Sequence, residues 1–384
     1  MKIFIIDISG KVIKYDIALC EAIQKHLNGE SSISFLSPLY EEQPRCRTIR
    51  LANIVPKKYK NGEFLWKRTL KLLELVANYL FVICYVAWQK PNVVHFQWFP
   101  LLEVFPGEHL AVKIIRMISK RTKMVLTIHN VFPHSLKEEK KKTYVERFTG
   151  INRLMDAFVV HTEETKAEVE RDFNISGDRI YVVHHGIFTP ENFIPRKNEI
   201  DNSEVKFILY GNLTDYKGVD IFVEAIKIIP ESYRNRIHGV IAGEMHNKTL
   251  CKKLQQDSID LNIEWFPYFL PEQELYEKID NSNVIVLPYR HISQSGVLLL
   301  ALSFNRYIIT SDLPTFKETL HDFTDDMFFE SENPHDLAKL MMRYVDGDVD
   351  TGKQTTVIEG LNSMFSWELA ADKTMNIYRK IIEA

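Results

Sequence analysis

Short apolar runs rich in Val, Ile, Phe and Tyr alternate with helix-period segments along almost the entire chain. That alternation is the pattern of parallel sheets covered by helices on both faces. The runs form two series. The first comprises residues 2–8, 92–98, 123–129, 157–162 and 179–186, with helical patterns such as 15–27 and 65–86 between them. The second comprises 205–211, 238–244, 263–268, 283–289 and 307–312. Residues 189–205 are polar, contain Pro190 and Pro195 and have no period, so they predict an interdomain linker. A closing helix over 366–384 is expected to pack back at the domain junction. The expected domains are 1–190 and 203–365, followed by that helix. A chain of 384 residues with 45% hydrophobic residues can fill two such cores.

A formal charge of −3 excludes a global electrostatic drive toward nucleic acid, so any preference for a polyanion must be local. Cys20, Cys46, Cys84 and Cys251 are widely spaced and form no CxxC pair, which fits a reducing, cytoplasmic setting. The opening apolar run is short and broken by Asp7, so it predicts a buried first strand. The apolar stretch 75–88 is shorter than the roughly 18 residues of a spanning helix, and no transmembrane segment is expected. No Asp-x-Asp pair is expected to hold a metal, and no cofactor is expected.

Two segments carry chemistry. In residues 207–226 a strand ends at Gly211, a polar loop follows through Asn212, and Lys217-Gly218 opens an amphipathic helix. A lysine beside the free N–H groups of a helix start suits a phosphate. In residues 281–312 a buried strand ends at Pro288, a polar loop runs through Ser293, Gln294 and Ser295, and Gly296-Val297 opens an apolar helix. A glycine there lets backbone amides approach an anion closely. Each segment alone is an ordinary strand-loop-helix connection, and it is their pairing that points to a pyrophosphate site.

The paired segments resemble the donor-binding blocks of glycosyltransferase family 4. The resemblance implies a GT-B architecture, with two Rossmann-like domains whose parallel sheets face a central cleft. It also implies transfer of a sugar from a nucleoside diphosphate sugar to the hydroxyl of a glycan, in polysaccharide or glycoconjugate synthesis. In that family an arginine and a lysine grip the donor diphosphate. Lys217 and Gly218 match, while Asn212 replaces the arginine. Ile292 and Leu300 occupy the places of two family glutamates that touch the donor sugar and ribose. Either recognition has moved to Ser293, Gln294 and Ser295, or the chain belongs to a divergent branch, or it is an inactive glycan- or nucleotide-binding subunit. Whether the anomer is retained or inverted stays open.

The same resemblance makes Tyr268, Phe269 and Leu270 candidates for holding the donor base, and Gly243-Glu244 a strand-end loop of the donor site. It places His129 near the transferred sugar, Gly10 in the first loop of the cleft, and Lys11, Tyr15, Gln97, Trp98 and His134 toward the acceptor. His95, His161, His184 and His185 are weaker candidates. The segment 365–381 resembles the family's closing Phe-Ser-Trp and helix. A GT-B-like epimerase would need paired carboxylates in the cleft, and no convincing pair is present.

Between residues 45 and 72 lie Arg45, Arg47, Arg50, Lys57, Lys58, Lys60, Lys67, Arg68 and Lys71 against the single acid Glu63, with Phe64, Leu65 and Trp66 among them. This stretch reads equally as a solvated face leading into a core helix or as a contact with an anionic inner leaflet. The second reading implies peripheral attachment and a lipid-linked acceptor.

Overall fold

A computed structural model describes residues 1–27, 31–38, 44–54, 65–102, 107–133, 136–188, 193–194, 204–292, 295–323 and 325–384. The chain divides into two compact units, one of Met1–Gly186 with Ser366–Ala384 and one of Ile187–Phe365. Most of the expected linker 189–205 lies outside the described residues.

The first unit is built on β1 (Lys2–Asp7), β2 (Ser32–Ser37), β3 (Thr48–Arg50), β4 (Val93–Trp98), β5 (Lys123–Thr127), β6 (Ala157–Val160) and β7 (Ile180–Val182). They form one parallel sheet in the order β3-β2-β1-β4-β5-β6-β7. β1, β4 and β6 are buried along nearly their whole length, which is why they read as continuous apolar runs rather than alternating ones. β2 and β3 escape the sequence reading. The serines that alternate in SISFLS dilute the apolar signal of β2, and β3 is only three residues long.

The second unit repeats the plan with β8 (Val205–Tyr210), β9 (Ile237–Ala242), β10 (Ile263–Phe266), β11 (Val284–Leu287), β12 (Tyr307–Ser311) and the unforeseen two-residue β13 (Phe328–Phe329). Their order is β10-β9-β8-β11-β12-β13, again all parallel. In both sheets the chain reverses its direction of travel beside the first strand, between β1 and β4 and between β8 and β11. The loops leaving these strand pairs diverge and open a crevice, where sheets of this kind bind ligands.

The helix Leu65–Gln89 places Leu75, Tyr79, Val82 and Val86 in the core of the first unit with Phe4, Ile6, Val94 and Phe96. Its stretch Thr69–Gln89 is, by length and composition alone, long and apolar enough to cross a membrane. The inward face, which includes the buried Glu74 and Asn78, is committed to the protein. The final helix, Trp367–Glu383, packs in the first unit against the helix Ile13–Lys25.

Candidate functional site

At the crevice of the second unit, β8 runs into Gly211, whose φ of 111° lies in the region that favours glycine. A β-carbon there would stand 3.1 Å from Val297 Cγ2 and 3.8 Å from Lys217 Nζ, so the two sequence segments converge on this residue. Its neighbour Gly243, with φ of 141°, is pressed against the Gly211 carbonyl, where a β-carbon would come within 1.8 Å. The strands after β8 and β9 stay zipped beyond the sheet, since Gly211 N donates to Ala242 O and Leu213 N to Glu244 O.

Lys217 closes a short 3-10 turn, Asp215–Lys217, and Gly218 caps the helix Val219–Ile228 with φ of 68°. The need for glycine at 218 is a close approach of main chains: a β-carbon would lie 1.9 Å from Pro288 O. Lys217 is 4% exposed. Its Nζ donates to Tyr289 Oη at 2.6 Å and lies 4.2 Å from the centre of that ring. Among the described residues it has no other acceptor and no carboxylate partner. Burial lowers its pKa from the usual lysine range to about 7. A buried ammonium with unused N–H groups is costly unless an anion joins it.

Opposite, Ser295 Oγ accepts from Leu298 N and caps the helix Gly296–Ser303. Tyr210 Oη donates to Val297 O at 2.9 Å, which fixes the first turn against β8. The amides of Gly296 and Val297 have no acceptor among the described residues, and a β-carbon on Gly296 would meet nothing within 4 Å. These free N–H groups at a helix start form the kind of anion seat that the sequence pairing suggested.

Two residues of this region were not singled out in the sequence. Tyr289 receives the lysine, and Arg290 braces its loop through paired bonds to Asp220 at 2.7 and 3.0 Å and a bond to Asp215 O. Their signal was position alone, directly after β11. Leu270 is packed in the core, so of the candidate base contacts its side chain offers no stacking face and only its main chain could serve. Tyr268 and Phe269 are exposed, the latter by 75%. Glu244 and Asn212 are exposed as well. Ile292 and Leu300 pack against the core. Ser293, Gln294 and His134 lie outside the described residues.

In the first unit, the Asp7 carboxylate accepts from Ser9 N, Gly10 N and Val12 N, shaping the loop after β1 with Gly10 at φ of 62°. Lys11 is exposed, with its Nζ 5.9 Å from the Trp98 ring centre. Tyr15, expected to meet an acceptor, is instead enclosed: its ring lies 4.8 Å from His129, 5.2 Å from His161, 5.0 Å from His185 and 5.4 Å from Trp367, centre to centre. The three histidines follow β5, β6 and β7, adjacent strands whose ends share one edge of the sheet. Spatial convergence of residues so far apart in the chain is invisible to local pattern, and His161 and His185 were accordingly underrated.

Their hydrogen bonds fix the tautomers. His161 Nδ1 lies 2.9 Å from the Val183 carbonyl, which can only accept, so the proton sits on Nδ1 and Nε2 is bare. That Nε2 lies 3.2 Å from His129 Nδ1, which must therefore donate and leaves His129 Nε2 with an unused lone pair. The atom is buried and has no partner. Burial, with smaller contributions from His161, His185 and His95, holds the His129 pKa well below the usual imidazole range. Burial also brings His161 down to about 4 and His185 to about 3. His129 and Gln97 line a cavity of about 30 Å³ together with Trp98, Thr127 and Asn130. Both polar atoms of the Gln97 side chain also lack partners. His95, by contrast, is satisfied by Tyr378 Oη and Thr127 Oγ1.

Residues 346–350 read Asp-Gly-Asp-Val-Asp, two overlapping Asp-x-Asp pairs. Asp346 accepts from Tyr233, Asp348 pairs with Arg343, and Asp350 caps the helix Thr351–Met364, so all three are engaged by protein groups. Among the described residues no group of three or more His, Cys, Asp or Glu is placed to hold a metal ion.

Two family models match the chain. The glycosyltransferase family 4 model covers residues 32–189 and the model of glycosyl transferases group 1 covers residues 190–356. No curated protein sequence matches. Among solved structures, the chain is similar to a sucrose-phosphate synthase from Thermosynechococcus elongatus, with 17% identity, TM-score 0.71 and coverage of 100% of this chain and 99% of that one. It is similar to Anabaena HepE in complex with UDP and glucose, with 12% identity, TM-score 0.67 and full coverage of both chains. A glycosyltransferase from Rickettsia africae aligns with 15% identity, TM-score 0.68, and coverage of 99% and 98%. At these identities the structural likeness speaks for the fold, while the two models, one per half of the chain, speak for the family. The chain belongs to the GT-B glycosyltransferases of the family 4 type.

Proposed function

We propose that the chain transfers a sugar from a nucleoside diphosphate sugar to a hydroxyl of a glycan acceptor, with the second unit holding the donor. The observation that carries this reading is the convergence on Gly211 of an underpaired, buried Lys217 ammonium and the open helix start at Gly296-Val297. HepE, of the same fold, is described in complex with UDP and with UDP-glucose, which supports a nucleotide at this kind of fold.

Departure of a nucleoside diphosphate builds negative charge on its phosphate oxygens. Donors already fixed at that place stabilise the transition state more than the ground state. Lys217 and the amides of Gly296 and Val297 fill that role without reorganisation, because Tyr289, Tyr210 and Ser295 already hold them. In the first unit, the bare Nε2 of His129 is an acceptor for a sugar or acceptor hydroxyl. It is neutral at physiological pH, and its Nδ1 is anchored by His161.

Thermal shift against UDP, GDP, ADP and their sugars tests the donor assignment, because a ligand of the native state raises its melting temperature with occupancy. Stabilisation by one nucleotide series is expected, and a flat response to all of them counts against it. A second reading, a binding subunit without catalysis, draws on Ile292 and Leu300, apolar residues packed on the core where the family uses carboxylates. Sugar release or transfer from the stabilising donor separates the two, since the subunit would bind without turnover.

A further inference from the structure

The helix Leu65–Gln89 has a second face that the core does not use. Leu72, Leu73, Val76, Leu80, Phe81 and Trp88 are exposed, Leu73 by 61% and Trp88 by 74%. Positions 72, 76, 80, 84 and 88 recur at every fourth residue, which makes a stripe about 24 Å long that winds slowly over the outer half of the helix. From Thr69 to Trp88 every exposed position is uncharged. The neighbouring helix Gly107–Ile118 packs beside it and adds exposed Leu110, Met117 and Ile118. Soluble surfaces rarely leave so much contiguous apolar area open without a use.

The exposed charges on these two helices are of one sign. The acids on these two helices, Glu74 and Glu108, are both fully buried: Glu74 accepts from Ile54 N and pairs with Lys71, and Glu108 accepts from Tyr79 Oη. Exposed Lys113 lies on the second helix, and Lys90, Lys120 and Arg121 follow the ends of the two helices. Because β4 pairs with β5 directly after those ends, Lys90, Lys120 and Arg121 gather at the end of the patch that carries Trp88 and Ile118. An aromatic ladder, Phe4 to Tyr85 to Phe81 and Trp88, ties the patch to the core.

We propose that this face docks on an anionic lipid bilayer, with the helix Leu65–Gln89 lying in the interface plane, its outer apolar residues among acyl chains and the lysines and arginine at the headgroups. The surface differs from the basic stretch 45–72 singled out in the sequence, five of whose nine basic side chains lie outside the described residues. Apolar depth with a cationic border and no exposed acid on the two helices matches an interfacial helix. A spanning helix would have to withdraw Leu75, Tyr79, Val82 and Val86 from the core. The proposal is independent of the donor site.

Flotation of the full chain with vesicles of phosphatidylcholine alone, or with 30% phosphatidylglycerol, tests it. Binding is expected on the anionic vesicles and should weaken with salt. It should fall more than tenfold in the double variant L73E/L80E, and about fivefold for each cation removed in K113Q, K120Q and R121Q. Circular dichroism and the melting temperature of each variant guard against unfolding. Absence of binding to anionic vesicles, or equal binding by folded L73E/L80E, overturns the proposal. A dimer in light scattering that L73E/L80E dissociates, without vesicle binding by the parent chain, would assign the face to a second copy instead.

Discussion

In the second unit the candidate reactive groups are one ammonium and two main-chain amides, positioned by glycines at 211, 218 and 243. In the first unit they are imidazoles from three neighbouring strand ends, packed around Tyr15 and held neutral by burial. The first kind of site suits a charged, rigid ligand such as a pyrophosphate, because it offers fixed positive potential and open amides. The second suits a neutral hydroxyl, because it offers a buried, unused lone pair beside a small cavity. A single fold plan, repeated, thus places opposite chemistries at strand ends: after β8 and β11 beside the crevice in the second unit, and after β5, β6 and β7 in the first.

The sharpest way to break this contrast is His129→Ala. Loss of a positioned base should lower turnover by about 10³-fold, with donor affinity and melting temperature nearly unchanged. A variant that loses stability but keeps its specific activity would make His129 a packing residue. Lys217→Ala comes next, with turnover expected to fall by about 10²–10³-fold. Donor affinity should fall with it, and removal of a buried, underpaired charge should leave the fold intact or firmer.

A third comparison separates the glycines. Gly218→Ala should cost about 3 kcal/mol in urea unfolding, since the left-handed backbone and the Pro288 carbonyl both oppose a methyl group. Gly296→Ala should stay within about 0.5 kcal/mol of the parent, because its β-carbon enters open space, yet it should weaken nucleoside diphosphate binding a few-fold.

The smallest effect concerns pH. The unfolded histidines take up protons below about pH 6.5, whereas His95 and His185 stay neutral to about 3 and His161 to about 4. Their contribution to stability is complete above pH 6.5 and is lost as pH falls toward 4 for His161 and toward 3 for His95 and His185. The melting temperature should decline over that window, and less steeply in His185→Asn, whose amide replaces the Nδ1 donor to Gly186 O.

The geometry of the candidate donor region was legible in the sequence because its parts are contiguous: Lys217-Gly218 and Ser295-Gly296 each mark a helix start after a buried strand. What local reading missed there was the support, Tyr289 and Arg290, which is defined by contacts between two loops. The histidine cluster was legible only at His129, since the roles of His161 and His185 arise from parallel pairing of β5, β6 and β7. Tyr15 was misjudged for the same reason, because a residue at a helix start can face a pocket or plug it, and only the packing of Trp367 from the chain's last helix decides. The outer stripe of Leu65–Gln89 was visible as apolar sequence, yet which of its two apolar faces the core would take depends on Phe4, Ile6, Val94 and Phe96.

The most direct measurement is calorimetry of the stabilising nucleoside diphosphate at pH 8, in buffers of different ionisation enthalpy, for the parent chain and Lys217→Ala. With a Lys217 pKa of about 7 in the free protein, the amine is mostly neutral at pH 8, and seating a diphosphate on it should draw in close to one proton. That proton uptake is expected in the parent, and its disappearance, with weaker binding, in the variant. Binding of equal strength and equal proton uptake in both would contradict it.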